Sequence, residues 1–443
     1  MSGSAIGFIM FGILLALMVV RVPIGLSMFM VGAGGYVYLS GGETLALMSS
    51  LKNLAYARLS NYDLVVIPLF LLMGQFATHG GLSKALFHCV SAFIGHRKGG
   101  IAMAAIGACA GFGAICGSSL ATAATMGQVA LPELRRYGYS GSLATGALAA
   151  GGTLGIMIPP SVPLVIYAIL TQESIGKLFV AAVLPGIIAM LGYMLVVQII
   201  VRLNPKAGPA GEAVAWPERL RALLLVSPVL LVFVVVIVGI YGGWANPTEA
   251  AAIGAASCGV LAVVTGGMRT QGLIDSAVGT AQATAMIFLV LIGADMLNTA
   301  LAVSQMPAEL ASWVKASGLS PLLVLGTILL IYIFLGCVMD SLAMILLTIP
   351  IFYPIVMGLD YFGMAADDKS VWFGILALMV VEIGLVHPPV GMNVYIINRL
   401  AKDVPLSETF KGVIPFLLSD FARIALLVFF PTISLLLVHT FKS

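Results

Sequence analysis

The 443-residue chain carries 21 Lys or Arg and 18 Asp or Glu, so 9% of it is charged while 60% is apolar. An ordinary globular domain is about 25% charged, so this balance excludes a soluble multidomain enzyme, a disordered chain and a nucleic-acid binder with its dense basic surface. A net charge of +3 is too small to select acidic partners, and the chain reads as a polytopic α-helical protein of the lipid bilayer.

Residues 2–20 and 22–42 contain no Asp, Glu, Lys or Arg, and each approaches the roughly 20 apolar residues that cross about 30 Å of hydrocarbon. No basic leader or small-residue cleavage site accompanies residues 4–20, so they read as a retained first helix rather than a signal peptide. Residues 99–132 form a charge-free run of 34. As a helix it would extend about 51 Å, too far for one crossing. Arg97/Lys98 and Arg135/Arg136 bound it, and basic residues mark the cytoplasmic side, so the segment enters and returns as a re-entrant hairpin over about 99–138. Its centre, Gly111-Phe-Gly-Ala-Ile-Cys-Gly117-Ser118-Ser119, supplies the small and polar residues of a tip. Non-helical backbone at that depth is stable only inside protein or beside a water-filled cavity.

Farther along, Gly155-Ile-Met-Ile-Pro159-Pro160-Ser161 interrupts another apolar run. Consecutive prolines remove two N–H donors and disfavour helix before them, which predicts a broken helix over about 142–171. A further span covers 178–201, and the polar, Pro- and Gly-rich stretch 204–218 is the longest hydrophilic linker. Two more uncharged runs, 222–248 and 250–268, meet at Asn246-Pro247-Thr-Glu249, a helix start with Asn as N-cap, Pro at N1 and Glu at N3. Gly336-Cys-Val-Met-Asp340-Ser341 centres a second hairpin over about 319–359, and His387-Pro388-Pro389-Val390-Gly391 breaks a helix over about 370–398. Solid apolar runs such as 223–240 contradict the alternating segments of about 10 residues that a β-barrel uses.

These features repeat. Tip 1 matches tip 2, Thr153–Ser161 matches Glu382–Val390, and Val22-Pro23 matches Asn246-Pro247, at offsets of 222 to 229 residues with the loop 360–369 absorbing the difference. Basic clusters at Arg21, Arg97, Arg135, Arg202, Arg269 and Arg399 belong inside by the positive-inside rule. The acidic loop 360–368 and both termini then face outward. The first hairpin is anchored inside and the second outside, and such paired, interrupted segments mark an inverted-repeat secondary transporter.

Carbonyls freed at the breaks, with neighbouring hydroxyls, are hard ligands for a small cation. The N-termini of half-helices suit a carboxylate, so both could be held without a buried Arg. Asp340 at bilayer depth costs roughly 3 kcal/mol unless partnered, which points to a cation site with Ser341; Ser118 and Ser119 serve the symmetric one. Glu382 aligns with Thr153 and is open to three roles: ion ligand, substrate ligand or bond to a neighbouring helix. Asp295 is similarly open. Asn393 is an amide contact for substrate, and His387, beside a break, is a further candidate. Cys89, Cys109, Cys116, Cys258 and Cys337 read as packed, reduced side chains. The other histidines show no metal-ligand spacing. There is no Walker A, Gly-x-Ser-x-Gly or His-Glu-x-x-His motif, so neither an ATP-driven pump nor an intramembrane enzyme has support.

Gly152-Thr-Leu-Gly-Ile-Met-Ile-Pro-Pro-Ser161, Glu382-Ile-Gly-Leu-Val-His-Pro-Pro-Val-Gly-Met-Asn393 and Asn246-Pro-Thr-Glu-Ala250 resemble signatures of the large membrane subunit of tripartite ATP-independent periplasmic (TRAP) transporters. The resemblance covers nearly the whole chain. It implies an all-α elevator transporter with two re-entrant hairpins and two broken helices, in the bacterial inner membrane. It implies sodium as coupling ion with no other cofactor, a separate small membrane subunit, and a periplasmic binding protein that delivers an organic acid. It places the ion sites at Ser118, Ser119, Gly155 and Pro159, and at Asp340, Ser341, Gly384 and Pro388. Thr153, Ser161, Glu382, His387, Gly391 and Asn393 are the substrate candidates. His387 departs from the family pattern, where a small hydroxyl residue is expected. The implied division is a scaffold of 1–63, 173–203, 220–283 and 401–443, a cytoplasmic loop 204–219, and transport-domain halves 64–172 and 284–400. A self-sufficient carboxylate symporter and an ion channel are the alternatives.

Overall fold

The computed structural model describes residues 2–440, and every regular element among them is helical. The first half comprises α1 (Gly3–Val19), α2 (Ile24–Leu39), α3 (Thr44–Leu59), α4 (Val66–His79), α5 (Leu82–Ile94), α6 (Gly100–Cys116), α7 (Ser119–Arg136), α8 (Gly141–Met157), α9 (Val162–Thr171) and α10 (Ile175–Leu203). The second comprises α11 (Trp216–Tyr241), α12 (Pro247–Val264), α13 (Thr270–Ser304), α14 (Met306–Ala316), α15 (Pro321–Gly336), α16 (Ser341–Met357), α17 (Ala366–Val386), α18 (Met392–Leu400), α19 (Leu406–Phe429) and α20 (Thr432–Thr440). Among the described residues seven helical segments are long and apolar enough to cross a membrane, and the pair α8–α9, bent by 41° at its break, makes an eighth if it is one span.

The expected hairpins are present. Arms α6, α15 and α16 hold 16 or 17 residues, about 25 Å of helix, short of the ~30 Å hydrocarbon thickness. Gly117 turns the first tip with φ +62°, a conformation open to glycine at no steric cost. Ser118 is the N-cap of α7, its hydroxyl accepting the Ala121 N–H, and Asp340 holds the N-cap position of α16. The broken helices are α8–α9, interrupted at Ile158–Ser161, and α17–α18, interrupted at His387–Gly391. Both double prolines carry a cis bond. At Asn246, the expected helix start is a capping box: Glu249 N–H donates to Asn246 Oδ1 at 2.8 Å, and Asn246 N–H to Glu249 Oε2 at 2.9 Å.

Packing shows the repeat. Helix α1 lies on α2 and α11 on α12, while α2 runs along α13 and, reciprocally, α12 along α4. Helix α6 packs on α8 as α15 packs on α17. Each of these two contacts is a glycine pair: a Cβ on Gly113 would lie 2.4 Å from Gly155 Cα, and one on Gly384 would lie 2.4 Å from Gly336 Cα. The second arms exchange partners, α7 packing on α18 and α16 on α9. Such reciprocity is what a two-fold relation between halves requires. Along the axis of the molecule, α17 is buried throughout residues Lys369–Val386, and α8 throughout Leu143–Met157.

Helix α13 runs unbroken through residues 283 and 284 as one 35-residue helix. Helix α10 packs on α6, α8 and α17, and α19 on α8, α17 and α18.

Candidate functional site

Both tips line one cavity. A cavity of about 140 Å³ separates them, lined by Gly117, Ser118 and Ser119 of the first and by Asp340, Ser341 and Leu342 of the second. Val162 and Pro163 at the start of α9, Leu385 of α17, and Met286 and Ile287 of α13 complete its walls. A water occupies about 30 Å³ in the liquid, so the space suits a few waters, a small cation or a compact acid. Three helix N-termini, those of α7, α9 and α16, border it, and their unpaired N–H groups carry partial positive charge.

Behind this cavity the tips are joined. Ser341 Oγ donates to Glu382 Oε1 at 2.9 Å, and Ser119 Oγ donates to Glu382 Oε2. The side chain of Glu382 is 0% exposed. Of the three roles open for Glu382, the structure therefore shows contact with hydroxyls of two neighbouring helices, one from each hairpin.

The other candidates separate into groups. Ser118, Ser119, Asp340 and Ser341 line the cavity; Ser161 is buried at the N-cap of α9, next to its wall. Gly155 and Gly384 lie one layer deeper, where they admit the hairpin backbones. Pro159 and Pro388 stand in the breaks, and Gly391 is the N-cap of α18 with φ +63°. Thr153 turns away from the cavity, donating to Ala150 O at 2.6 Å and standing 3.0 Å from the Tyr193 hydroxyl. Asn393 Nδ2 donates to Ala149 O at 3.3 Å, which ties α18 to α8. His387 faces the back of the second tip, with Nδ1 3.8 Å from Cys337 Sγ. Asp295 pairs with Arg58 of α3, away from both tips. All five cysteines are buried.

One polar cluster was not among the candidates. In α19, Arg423 Nη2 lies 2.7 Å from Asp420 Oδ1, with side chains 3% and 1% exposed. The Tyr193 hydroxyl of α10 donates to Asp420 Oδ2 at 3.0 Å, and the Arg423 guanidinium sits 5.6 Å from the Tyr193 ring centre. Through Tyr193 the cluster reaches Thr153 on α8. Arg423 is buried beside Asp420 and is not among the residues lining the cavity. Two charges at i, i+3 in the apolar stretch 412–430 were the available signal.

Paired hairpins and broken helices around one cavity that both tips line define a multi-pass membrane permease. Residues 11–433 match the family described as "Tripartite ATP-independent periplasmic transporter, DctM component", and the chain belongs to that family. It is 36% identical to the C4-dicarboxylate TRAP transporter large permease protein DctM of Pseudomonas aeruginosa, over 90% of this chain and 92% of that protein. It is 31% identical to the sialic acid TRAP transporter large permease protein SiaM of Vibrio cholerae, over 100% and 99% of the two chains. Against the ectoine TRAP transporter large permease protein TeaC of Halomonas elongata it is 31% identical, over 97% and 98%. The crystal structure of the Alcanivorax borkumensis YdaH transporter shares the fold at a TM-score of 0.58 and 14% identity, covering 88% of this chain and 89% of that one.

Proposed function

We propose that this permease takes up a small organic acid across the bacterial inner membrane, coupled to sodium, by an elevator movement. The observation that carries the reading is the convergence of both hairpin tips on one cavity bordered by three helix N-termini. Relatives named for C4-dicarboxylates, sialic acid and ectoine support a carboxylate-bearing substrate. The small membrane subunit and the periplasmic binding protein are the proposed partners, the latter releasing substrate from outside.

The chemistry is that of oxygen ligands and dipoles. Ser118 and Ser119 with carbonyls near Gly155 and Pro159 offer one cation site; Asp340 and Ser341 with carbonyls near Gly384 and Pro388 offer the other. A cation at either tip screens the acidic surroundings, and the N-termini of α7, α9 and α16 then hold the substrate carboxylate. Packing supports a moving body of α6–α10 and α15–α20 against a scaffold of α1, α2, α4 and α11–α13. The basic connections face the cytoplasm and both termini the periplasm in this reading.

The test is uptake into proteoliposomes containing this chain and its small subunit, with purified binding protein and radiolabelled C4-dicarboxylate, sialic acid and ectoine in turn. Uptake of one acid that falls at least tenfold when the sodium gradient is replaced by choline is the expected result. Equal uptake without the gradient removes sodium coupling.

A further inference from the structure

Helices α5 and α11 pack together, and between them lies a cavity of about 630 Å³. Lys84 and His88 of α5 and Glu218, Arg221 and Leu225 of α11 line it, at the spacings of three and four that put residues on one helix face. Among the described residues neither Lys84 nor Arg221 forms an ion pair, and Glu218 joins neither of them. Lys84 and Arg221 outnumber Glu218, leaving one positive charge in surplus, and His88 offers a further N–H donor. Depth in the bilayer follows from α11. Its 26 residues extend about 39 Å, close to the roughly 40–45 Å of a bilayer with its headgroups. Trp216, 66% exposed, opens the helix, and exposed Trp gathers at the membrane–water boundary. Arg221 stands further along the helix, about 7.5 Å deeper, where headgroups give way to hydrocarbon. Residues 222–248 then carry no charge, and Leu224, Leu225 and Leu231 are exposed on them.

We propose that this groove holds one anionic phospholipid, its phosphate between Lys84 and Arg221 and its acyl chains along the exposed leucines of α11. Unpaired cations at headgroup depth, continuous with an apolar surface below, fit a ligand charged at one end and apolar at the other. The single surplus charge fits one phosphodiester, and Glu218 disfavours a second. Helix α5 connects α4 to the first hairpin arm, α6, and packs on that arm. The lipid headgroup therefore joins the start of the first hairpin to the outer wall of the molecule.

The experiment uses the full chain with its small subunit, stripped of native lipid in a neutral detergent, and counts bound lipid by native mass spectrometry. One molecule of phosphatidylglycerol is expected to bind at least tenfold more tightly than phosphatidylcholine. In the double variant Lys84→Gln, Arg221→Gln that preference should fall at least tenfold, with the thermal midpoint in detergent near that of the wild type. Arg219→Gln should bind as the wild type does, because Arg219 lies over the Trp216 ring and donates to Val214 O at 2.9 Å, outside the groove. Equal binding of the two lipids, an unchanged preference in the double variant, or the same loss in Arg219→Gln overturns the proposal. So does displacement of phosphatidylglycerol by inorganic phosphate, which would make this a site for the free anion. Should the double variant not fold, Glu218→Gln decides the matter. Removing the acid should tighten phosphatidylglycerol binding at least threefold, and an unchanged affinity overturns the proposal.

Discussion

Two buried carboxylates within one bundle place opposite demands on their surroundings. Asp420 pairs with Arg423 and accepts the Tyr193 hydroxyl, while Arg423 Nε and Nη1 have no hydrogen-bond partner among the described residues. Glu382 meets serine hydroxyls from the two hairpins, one on each oxygen. Breaking the Asp420–Arg423 pair is expected to be costly: removing one partner of a buried ion pair typically costs about 3–5 kcal/mol, whereas replacing both is far milder. Arg423→Met should therefore lower the thermal midpoint strongly, and Asp420→Asn combined with Arg423→Met should recover most of the loss. Differential scanning on the purified protein would measure both, and equal midpoints for single and double variants would contradict the assignment. From sequence alone, Asp340 drew attention because it stands at a turn between apolar runs. Arg423 and Asp420 are marked only by their i, i+3 spacing in an apolar stretch, and their burial depends on α10 and α8 covering α19, a tertiary fact that spacing alone does not give.

Elements were more legible than contacts. Gly117-Ser118 and the stretch before Ser341 mark the tips because small, polar, helix-breaking residues stand at mid-span. The double prolines mark the other breaks because they remove N–H donors whatever the surroundings. Contacts across the break were less legible, since charge and hydropathy do not tell which faces of α10 and α19 are covered. The broken geometry of α17–α18 is expected to be essential. Pro388→Ala with Pro389→Ala restores two donors and lets the helix extend toward Met392, so uptake should drop at least tenfold while the protein still inserts and purifies normally. Uptake near the wild-type rate would show that the break is only a packing kink.

At the scale of the molecule, helix α11 is the outer wall, with exposed Leu224, Leu225 and Leu231, and α17 is the buried axis. The proposed movement separates α13, on the scaffold side, from α16, on the hairpin side, and Met286 of the one and Leu342 of the other both line the cavity. Cysteines at these two positions, joined by a short bifunctional thiol reagent in a background lacking the native cysteines, should abolish uptake. Reagent applied to either single-cysteine protein should not. Full uptake in the joined protein would rule out relative motion of the two bodies.

The exchange of arms, α7 onto α18 and α16 onto α9, also bears on how the protein is made. The first hairpin and α9 leave the ribosome long before residues 341–400 exist, so their inner faces enter the bilayer without final neighbours. Native packing of the early half is completed only by the late half. A chain cut short after residue 340 therefore lacks the α18 contact on its first hairpin as well as its second hairpin's outgoing arm.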